Sequence, residues 1–255
     1  MDRYASGVEM EHRVPVYEYK NPTRTWLHSS RRDWIVAKAR QYAPAERTGR
    51  ALDVGFGSGV YFPVLTELFG EVVGLDSQEF MVDHAESLTK QYSNLRIVAD
   101  DITNCKLASG SFDLIVCSEV VEHIADSQKA IQEMHRMLKP KGILLLSTPQ
   151  RWSILELMAR IAYLPGVINF VKLLYPGQPL FDPGHINLMT EAEVTRQVEA
   201  AGFTIRERFK TGMYIPGVAD LMGAAGLRFE RWLEPKVRNS PASGILWEQY
   251  RVCEK

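Results

Sequence analysis

Cysteine is scarce in this 255-residue sequence, where only Cys105, Cys117 and Cys253 occur. Three scattered thiols neither build a disulfide framework nor supply a zinc site, and free thiols suit a reducing compartment. An excess of one charge is missing too, with 30 Lys and Arg against 31 Asp and Glu. Lacking a basic field, the chain has no long-range attraction for nucleic acid, and no nucleic-acid partner is expected. The opening MDRYASGVEMEHR has no apolar run of signal-peptide length, so a cytoplasmic protein is expected. The most hydrophobic stretch, Trp152 to Tyr175, is interrupted by Glu156, Arg160, Lys172 and Pro165-Gly166 and does not read as a spanning helix. Internal repeats and low-complexity tracts are absent, and the sequence carries no mark of oligomeric state.

What is present is ordinary globular material, 45% hydrophobic and 24% charged, of a length that suits a single domain over 1–255 without a linker. Periodicity predicts a helix from Arg31 to Tyr42. Short apolar runs follow at Ala51–Val54, Glu71–Leu75, Leu95–Val98, Phe112–Cys117 and Ile143–Ser147, the pattern of buried parallel strands. Helix-length segments separate them at Val60–Leu68, Glu79–Tyr92 and Ser127–Leu138. This rhythm specifies an α/β fold, a doubly wound, mostly parallel sheet. Thr190-Glu191-Ala192-Glu193 is a capping box that opens a helix to Ala201. Phe203–Phe209 and Leu246–Cys253 complete seven strands as an antiparallel edge, joined by an irregular connection over 210–244 with one short helix at 226–234. The domain thus divides into a cofactor-binding half at 30–150, a helical insertion at 151–189, and a C-terminal helix with two strands at 190–255.

The sharpest local signal is Asp53-Val54-Gly55-Phe56-Gly57-Ser58-Gly59, which ends the first strand and opens a helix. Glycines there let the backbone turn tightly and approach a ligand. Asp76 ends the second strand roughly 20 residues on, where a carboxylate can accept from a ribose diol. The pair points to a nucleoside ligand. Val60 occupies the place where a dinucleotide site wants a small residue, which disfavours a nicotinamide-dependent oxidoreductase, the alternative reading.

The glycine motif instead resembles that of class I S-adenosylmethionine-dependent methyltransferases. The likeness continues through Gly74-Leu75-Asp76-Ser77, Ala99-Asp100-Asp101-Ile102, Phe112-Asp113-Leu114-Ile115 and Leu138-Lys139-Pro140-Lys141-Gly142, with Lys141 where the family usually has glycine. It implies a Rossmann-like methyltransferase using S-adenosylmethionine and releasing S-adenosylhomocysteine. By the same resemblance Asp53 opens the motif, Gly55 and Gly57 line the methionine moiety, and Asp76 takes the ribose hydroxyls. Asp101 accepts from the adenine amino group, and the backbone of Ile102 bonds the ring. Ser77 and Ser118 are ligand contacts or turn hydroxyls, and Arg32 is a candidate partner for the methionine carboxylate. A catalytically silent cofactor-binding protein would carry the same motifs.

After the fourth strand, Cys117-Ser118-Glu119-Val120-Val121-Glu122-His123-Ile124 resembles the corresponding segment of ubiquinone-pathway O-methyltransferases. His123 is the first candidate for a general base; the alternative is that it only shapes the loop. Glu119, Glu122 and His123 would share a face if the segment were helical, which leaves a divalent ion open without assigning a metal site. His185, in Asp182-Pro183-Gly184-His185-Ile186-Asn187, is the second acid–base or orienting candidate. The acceptor implied is a small, lipophilic molecule, with O-methylation favoured over C- or N-methylation. In the insertion, Ser153–Tyr163 predicts a helix with Glu156 and Arg160 on a narrow polar stripe, and Val167–Leu174 begins another. The segment 152–175 reads as a lid over the acceptor, as added core, or as a peripheral membrane contact.

Overall fold

Apolar strand runs that alternate with amphipathic helices can bury both faces of each strand only in a layered arrangement, and the chain adopts it. The computed structural model describes residues 21–162, 164, 166–167 and 184–255. The helices are α1 (Pro22–Tyr42), α2 (Phe62–Leu68), α3 (Glu79–Thr89), α4 (Ser127–Met137), α5 (Ile154–Ala162), α6 (Glu191–Ala200), α7 (Val218–Leu221) and α8 (Gly223–Arg238). The strands are β1 (Arg50–Val54), β2 (Glu71–Asp76), β3 (Leu95–Ala99), β4 (Phe112–Ser118), β5 (Leu138–Pro149), β6 (Thr204–Thr211) and β7 (Glu248–Glu254). They form one seven-stranded sheet in the order β3-β2-β1-β4-β5-β7-β6.

Pairings from β3 through β5 are parallel. β7 runs against β5: Lys255 N–H donates to Gly142 O at 3.0 Å near one end, and Gln150 N–H donates to Trp247 O at 2.6 Å near the other. The chain divides into two compact units. One gathers Ser30–Thr148, Ala192–Phe209 and Tyr250–Lys255; the described part of the other comprises 21–29, 149–162, 184–191 and 210–249, with 164, 166 and 167. In the first unit Leu52, Ile115 and Leu145 have no exposure, and α4 buries Ala130, Ile131, Met134 and Met137 at helical spacing.

Four sequence expectations are corrected. Helix α1 begins at Pro22 rather than Arg31, because Asn21 Oδ1 accepts from the N–H groups of Thr23 (2.9 Å) and Arg24 (3.2 Å) and Pro22 suits the first helical position. β5 is longer than expected and carries an irregularity: its register with β4 passes from Phe112↔Leu138 to Leu114↔Ile143. Lys141 lies within that irregularity at φ 66, a left-handed conformation that explains why glycine is usual there. The 210–244 connection holds α7 and α8 rather than one short helix.

The fourth correction concerns α5, whose polar stripe is inverted. Glu156 is 5% exposed and does not pair with Arg160; its Oε1 lies 3.1 Å from His185 Nδ1 and 3.4 Å from the indole nitrogen of Trp247. Arg160 lies over the Trp152 ring, while Leu157, Ile161 and Met158, the last at 43%, face outward. A buried carboxylate holds its donors more tightly than an apolar side chain holds its neighbours, so the hydrogen bonds set the rotation of this helix. Beyond Val167, the second helix expected from Val167 to Leu174 and the rest of the expected lid lie outside the described residues.

Candidate active site

Parallel strands expose their carboxyl ends to the loops that follow, and in the first unit the ends of β1, β2, β3 and β4 carry most of the expected residues. The turn after β1 is tied to β2 by Gly55 N–H donating to Leu75 O at 2.7 Å. Gly55 has φ 63, and a Cβ there would meet Val120 Cγ2 at 2.5 Å, so this position is closed by packing. Gly57 has φ 52, yet nothing lies within 4 Å of where its Cβ would stand. The main chain at Gly57 therefore borders open space.

Two acids lie beside that opening. Asp53 on β1 is buried, and its Oδ2 has no hydrogen-bond partner among the described residues. Burial, reinforced by the charge of Asp76, pushes its carboxyl well above the usual range. Burial also raises Asp76, but backbone N–H groups of Gln78, Ser77 and Gly57 pull it back. The Gln78 bond is 3.0 Å to Oδ1. An orphaned buried carboxyl and an open stretch of backbone together suit a ligand that brings cationic or hydroxyl donors. The side chain of Ser77 is exposed.

The β3 end is built differently. Asp100 is consumed by its own loop, accepting from the N–H groups of Asp101 at 3.0 Å and Lys106 at 2.8 Å, chiefly the latter of which holds its carboxyl below the usual range. Asp101 is exposed and caps the 3-10 turn Ile102–Asn104, where Oδ1 accepts from Thr103 N–H at 2.8 Å and from Thr103 Oγ1 at 2.9 Å. Ile102 is buried beneath the turn.

At the β4 end a polar chain runs through the loop. Ser118 Oγ is 3.1 Å from the Tyr61 hydroxyl and 3.0 Å from Ser147 Oγ, and Ser147 donates to Glu119 Oε1 at 3.1 Å. Glu119 Oε2 pairs with Arg31 at 3.0 Å. Glu119 sits at φ 57, a strained conformation for a side-chain-bearing residue that these bonds hold in place. Glu122 is fully buried; Oε2 accepts from Thr148 Oγ1 at 3.1 Å, and Oε1 has no partner among the described residues. Burial, with the Glu119 charge next, raises its carboxyl well above the usual range. His123 is exposed at the end of the 3-10 turn Val121–His123.

Residues 119–123 are thus one left-handed residue and one short turn rather than a helix face; Glu122 and His123 nevertheless bring ligand atoms within 4.8 Å of each other, while Glu119 pairs with Arg31. The Arg32 guanidinium holds the neighbouring Asp33 at 2.8 Å, whereas Arg31 pairs with Glu119 of the β4 loop. Periodicity held the signal, since Arg31 is in step with the fully buried Ile35 and Ala39. His185 belongs to the second unit, where its partner is Glu156. Tyr61, Ser147 and Thr148 were missed because lone hydroxyls have no pattern in sequence.

The comparisons with known proteins follow this geometry. Residues 26–208 match the family described as Methyltransferase domain. A Mycolicibacterium smegmatis protein named "Probable S-adenosylmethionine-dependent methyltransferase" is 29% identical over 156 residues, which is 61% of this chain and 52% of that one. The Coxiella burnetii ubiquinone biosynthesis O-methyltransferase is 34% identical over 39% of this chain and 43% of its own. The chain spans about half the length of these curated relatives. Among solved structures, a SAM-dependent methyltransferase from Mesorhizobium loti has TM-score 0.57 at 17% identity, covering 88% of this chain and 98% of its own. The 4+2 cyclase SpnF has TM-score 0.59 at 16% identity, covering 88% and 80%.

Asp53 and Glu122 both have folded-state values above those of the unfolded chain. Their contribution to stability is therefore complete below the ordinary carboxylate range and is lost as pH rises toward the folded values. Without ligand, the melting temperature should fall from about pH 4.5 toward neutrality, and Glu122→Gln should flatten that fall. An identical slope in wild type and variant would show that Glu122 is ionised in the folded chain.

Proposed function

The chain belongs to the class I S-adenosylmethionine-dependent methyltransferases, and on that premise we propose that it carries a methyl group from S-adenosylmethionine to an oxygen of a small, lipophilic acceptor. The observation that supports the site is the orphaned Asp53 Oδ2 beside Asp76 and the open backbone of Gly57. When bound, S-adenosylmethionine supplies a methyl group activated by a sulfonium. Gly57 lets the main chain lie against the methionine moiety, Gly55 makes the turn beside it by packing against Val120, and Asp53 accepts from the ammonium group. Asp76 accepts from the ribose diol, while Asp101 and the backbone of Ile102 receive the adenine edge. The N–H of Ser77 holds the Asp76 carboxylate in place. Ser118, fixed by Tyr61 and Ser147, positions the pocket wall.

Methyl transfer needs an in-line nucleophile at near-attack distance, so positioning carries much of the rate. A hydroxyl acceptor must also lose its proton, and His123, on the loop that leaves β4, takes it as general base. The lipophilic oxygen acceptor draws support from the names of relatives: the Coxiella ubiquinone enzyme and a Staphylococcus epidermidis demethylmenaquinone methyltransferase, 32% identical over 41% of this chain. Fold alone leaves the reaction undecided, since a cyclase shares it.

S-adenosylhomocysteine at 100 times its dissociation constant should stabilise the protein by about 2.7 kcal/mol, and Asp76→Ala should remove most of that gain. Equal thermal shifts in both proteins would refute the role of Asp76. With an alkyl catechol as acceptor, His123→Ala should lower the single-turnover rate roughly 100-fold while leaving the affinity for S-adenosylhomocysteine nearly unchanged. The deficit should shrink as pH rises and the acceptor ionises unaided. An unchanged rate would return His123 to a loop-shaping role, and saturable cofactor binding without turnover on phenols or catechols would overturn the O-methylation reading.

A further inference from the structure

Helix α8 has the reverse of the usual amphipathic order. Ordinary helices turn aromatic residues inward and glutamates outward; over 221–238 (LMGAAGLRFERWLEPKVR) the buried positions are instead Gly226, Glu230 and Glu234, one helical turn apart. Gly226 permits close contact with α7, because a Cβ there would stand 2.4 Å from Val218 O. Glu230 Oε1 accepts from Ile215 N–H at 2.7 Å and Oε2 from Thr23 Oγ1 at 2.7 Å. Glu234 Oε2 accepts from the N–H groups of Gly212 at 2.9 Å and Met213 at 3.0 Å, and Oε1 from Thr211 Oγ1 at 2.8 Å and from Arg238. The two carboxylates thus satisfy three backbone donors in the segment that leaves β6, and these charge-assisted bonds fix the rotation of the helix.

The consequence is on the outer side. Both acids of the segment are spent inside, so Arg228, Arg231 and Lys236 are left without an exposed acid on their own helix. Between and beside them stand Met222, Phe229 and Trp232, the last 58% exposed, with Leu221 at 82% just before the helix. Phe229 and Trp232 lie 5.9 Å apart, and the Lys236 ammonium sits 3.3 Å above the Trp232 ring centroid. Met222, Ala225, Phe229, Trp232 and Lys236 follow one another at three- and four-residue steps, and Arg228 and Arg231 lie along one flank of that stripe.

We propose that this face of α8 docks on an anionic lipid surface. A bilayer offers negative headgroups over apolar chains, which complements cations beside an aromatic stripe. Duplex nucleic acid would match the cations and give Leu221, Met222 and Phe229 nothing to bury against, and the chain as a whole, at net charge −1, has no field to recruit it. The described residues contain no helix long and apolar enough to cross a membrane, so the contact is a peripheral one. The inference rests on α8 alone and stands whatever acceptor is methylated.

The test is flotation of the full chain with phosphatidylcholine vesicles, with and without phosphatidylglycerol, alongside a duplex DNA binding assay. Binding should require phosphatidylglycerol and weaken with salt. Phe229→Ser with Trp232→Ser, and separately Arg228→Gln with Arg231→Gln, should each lower the partition coefficient roughly tenfold or more. These positions are exposed, and a melting temperature within about 2 °C of wild type confirms that the variants fold. Leu157→Ser with Met158→Ser, on the outer face of α5, should bind like wild type. No binding, binding indifferent to phosphatidylglycerol, a loss confined to the α5 variant, or binding to DNA in place of vesicles would each overturn the proposal.

Discussion

Two carboxyl groups at the ends of neighbouring parallel strands, Asp53 and Asp76, are held out of water, and the charge of Asp76 adds to burial in disfavouring ionisation of Asp53. An ionised carboxylate in such a place costs several kcal/mol unless donors compensate it. Asp76 obtains its donors from the main chain, and one of them is the N–H of Gly57, so the same contact that stabilises the acid also shapes the glycine turn. Asp53 has no such donor for its second oxygen among the described residues, and burial with the neighbouring Asp76 charge pushes its carboxyl well above the usual range. The proposed cofactor side thus combines one incompletely satisfied acid, Asp53, with open space at the Cβ position of Gly57.

A second constraint organises the loop after β4. Glu119 occupies a backbone conformation that costs a non-glycine residue about 1–2 kcal/mol, and the Arg31 ion pair with the Ser147 hydroxyl offsets it. Burial first, and the same negative charge next, raise the carboxyl of Glu122 well above the usual range. Helix α1, the β4 loop and the end of β5 are thereby locked by one network, and His123 leaves that rigid frame on a short turn. If His123 acts as the proposed base, its position is set by this network, which is the condition methyl transfer imposes.

The strands and the glycine turn were legible in the sequence because their signals are local: a run of apolar residues, a sharp turn, an acid at the next strand end. What escaped were faces. The inward face of Arg31 went unread, Glu156 was placed outside, and the 210–244 region was read as an irregular connection with one short helix. For Glu156 and for 210–244, buried charged groups overrode hydrophobic periodicity. Glu156, Glu230 and Glu234 all point inward to capture an indole, a histidine or backbone N–H groups, and apolar side chains on α5 and α8 are turned to solvent as a result. Such partners lie far away along the chain, as with Glu156 and Trp247, and only the folded arrangement brings them together. The hydroxyls of Tyr61, Ser147 and Thr148 were invisible for the same reason.

Family membership supplies the cofactor, and the reaction is assigned from the site, because relatives of this fold include a cyclase and the curated relatives are matched over only about half their length. The proposed cofactor site turns on Asp53, whose carboxyl burial pushes up and a bound ammonium group would bring down, so ligand binding is expected to release a proton. Calorimetric titration with S-adenosylhomocysteine at neutral pH, repeated in buffers of different ionisation enthalpy, reads that change directly. The account predicts net proton release on binding by the wild type, lost in Asp53→Asn. Binding heats that do not depend on the buffer, or a release that persists in Asp53→Asn, would contradict it.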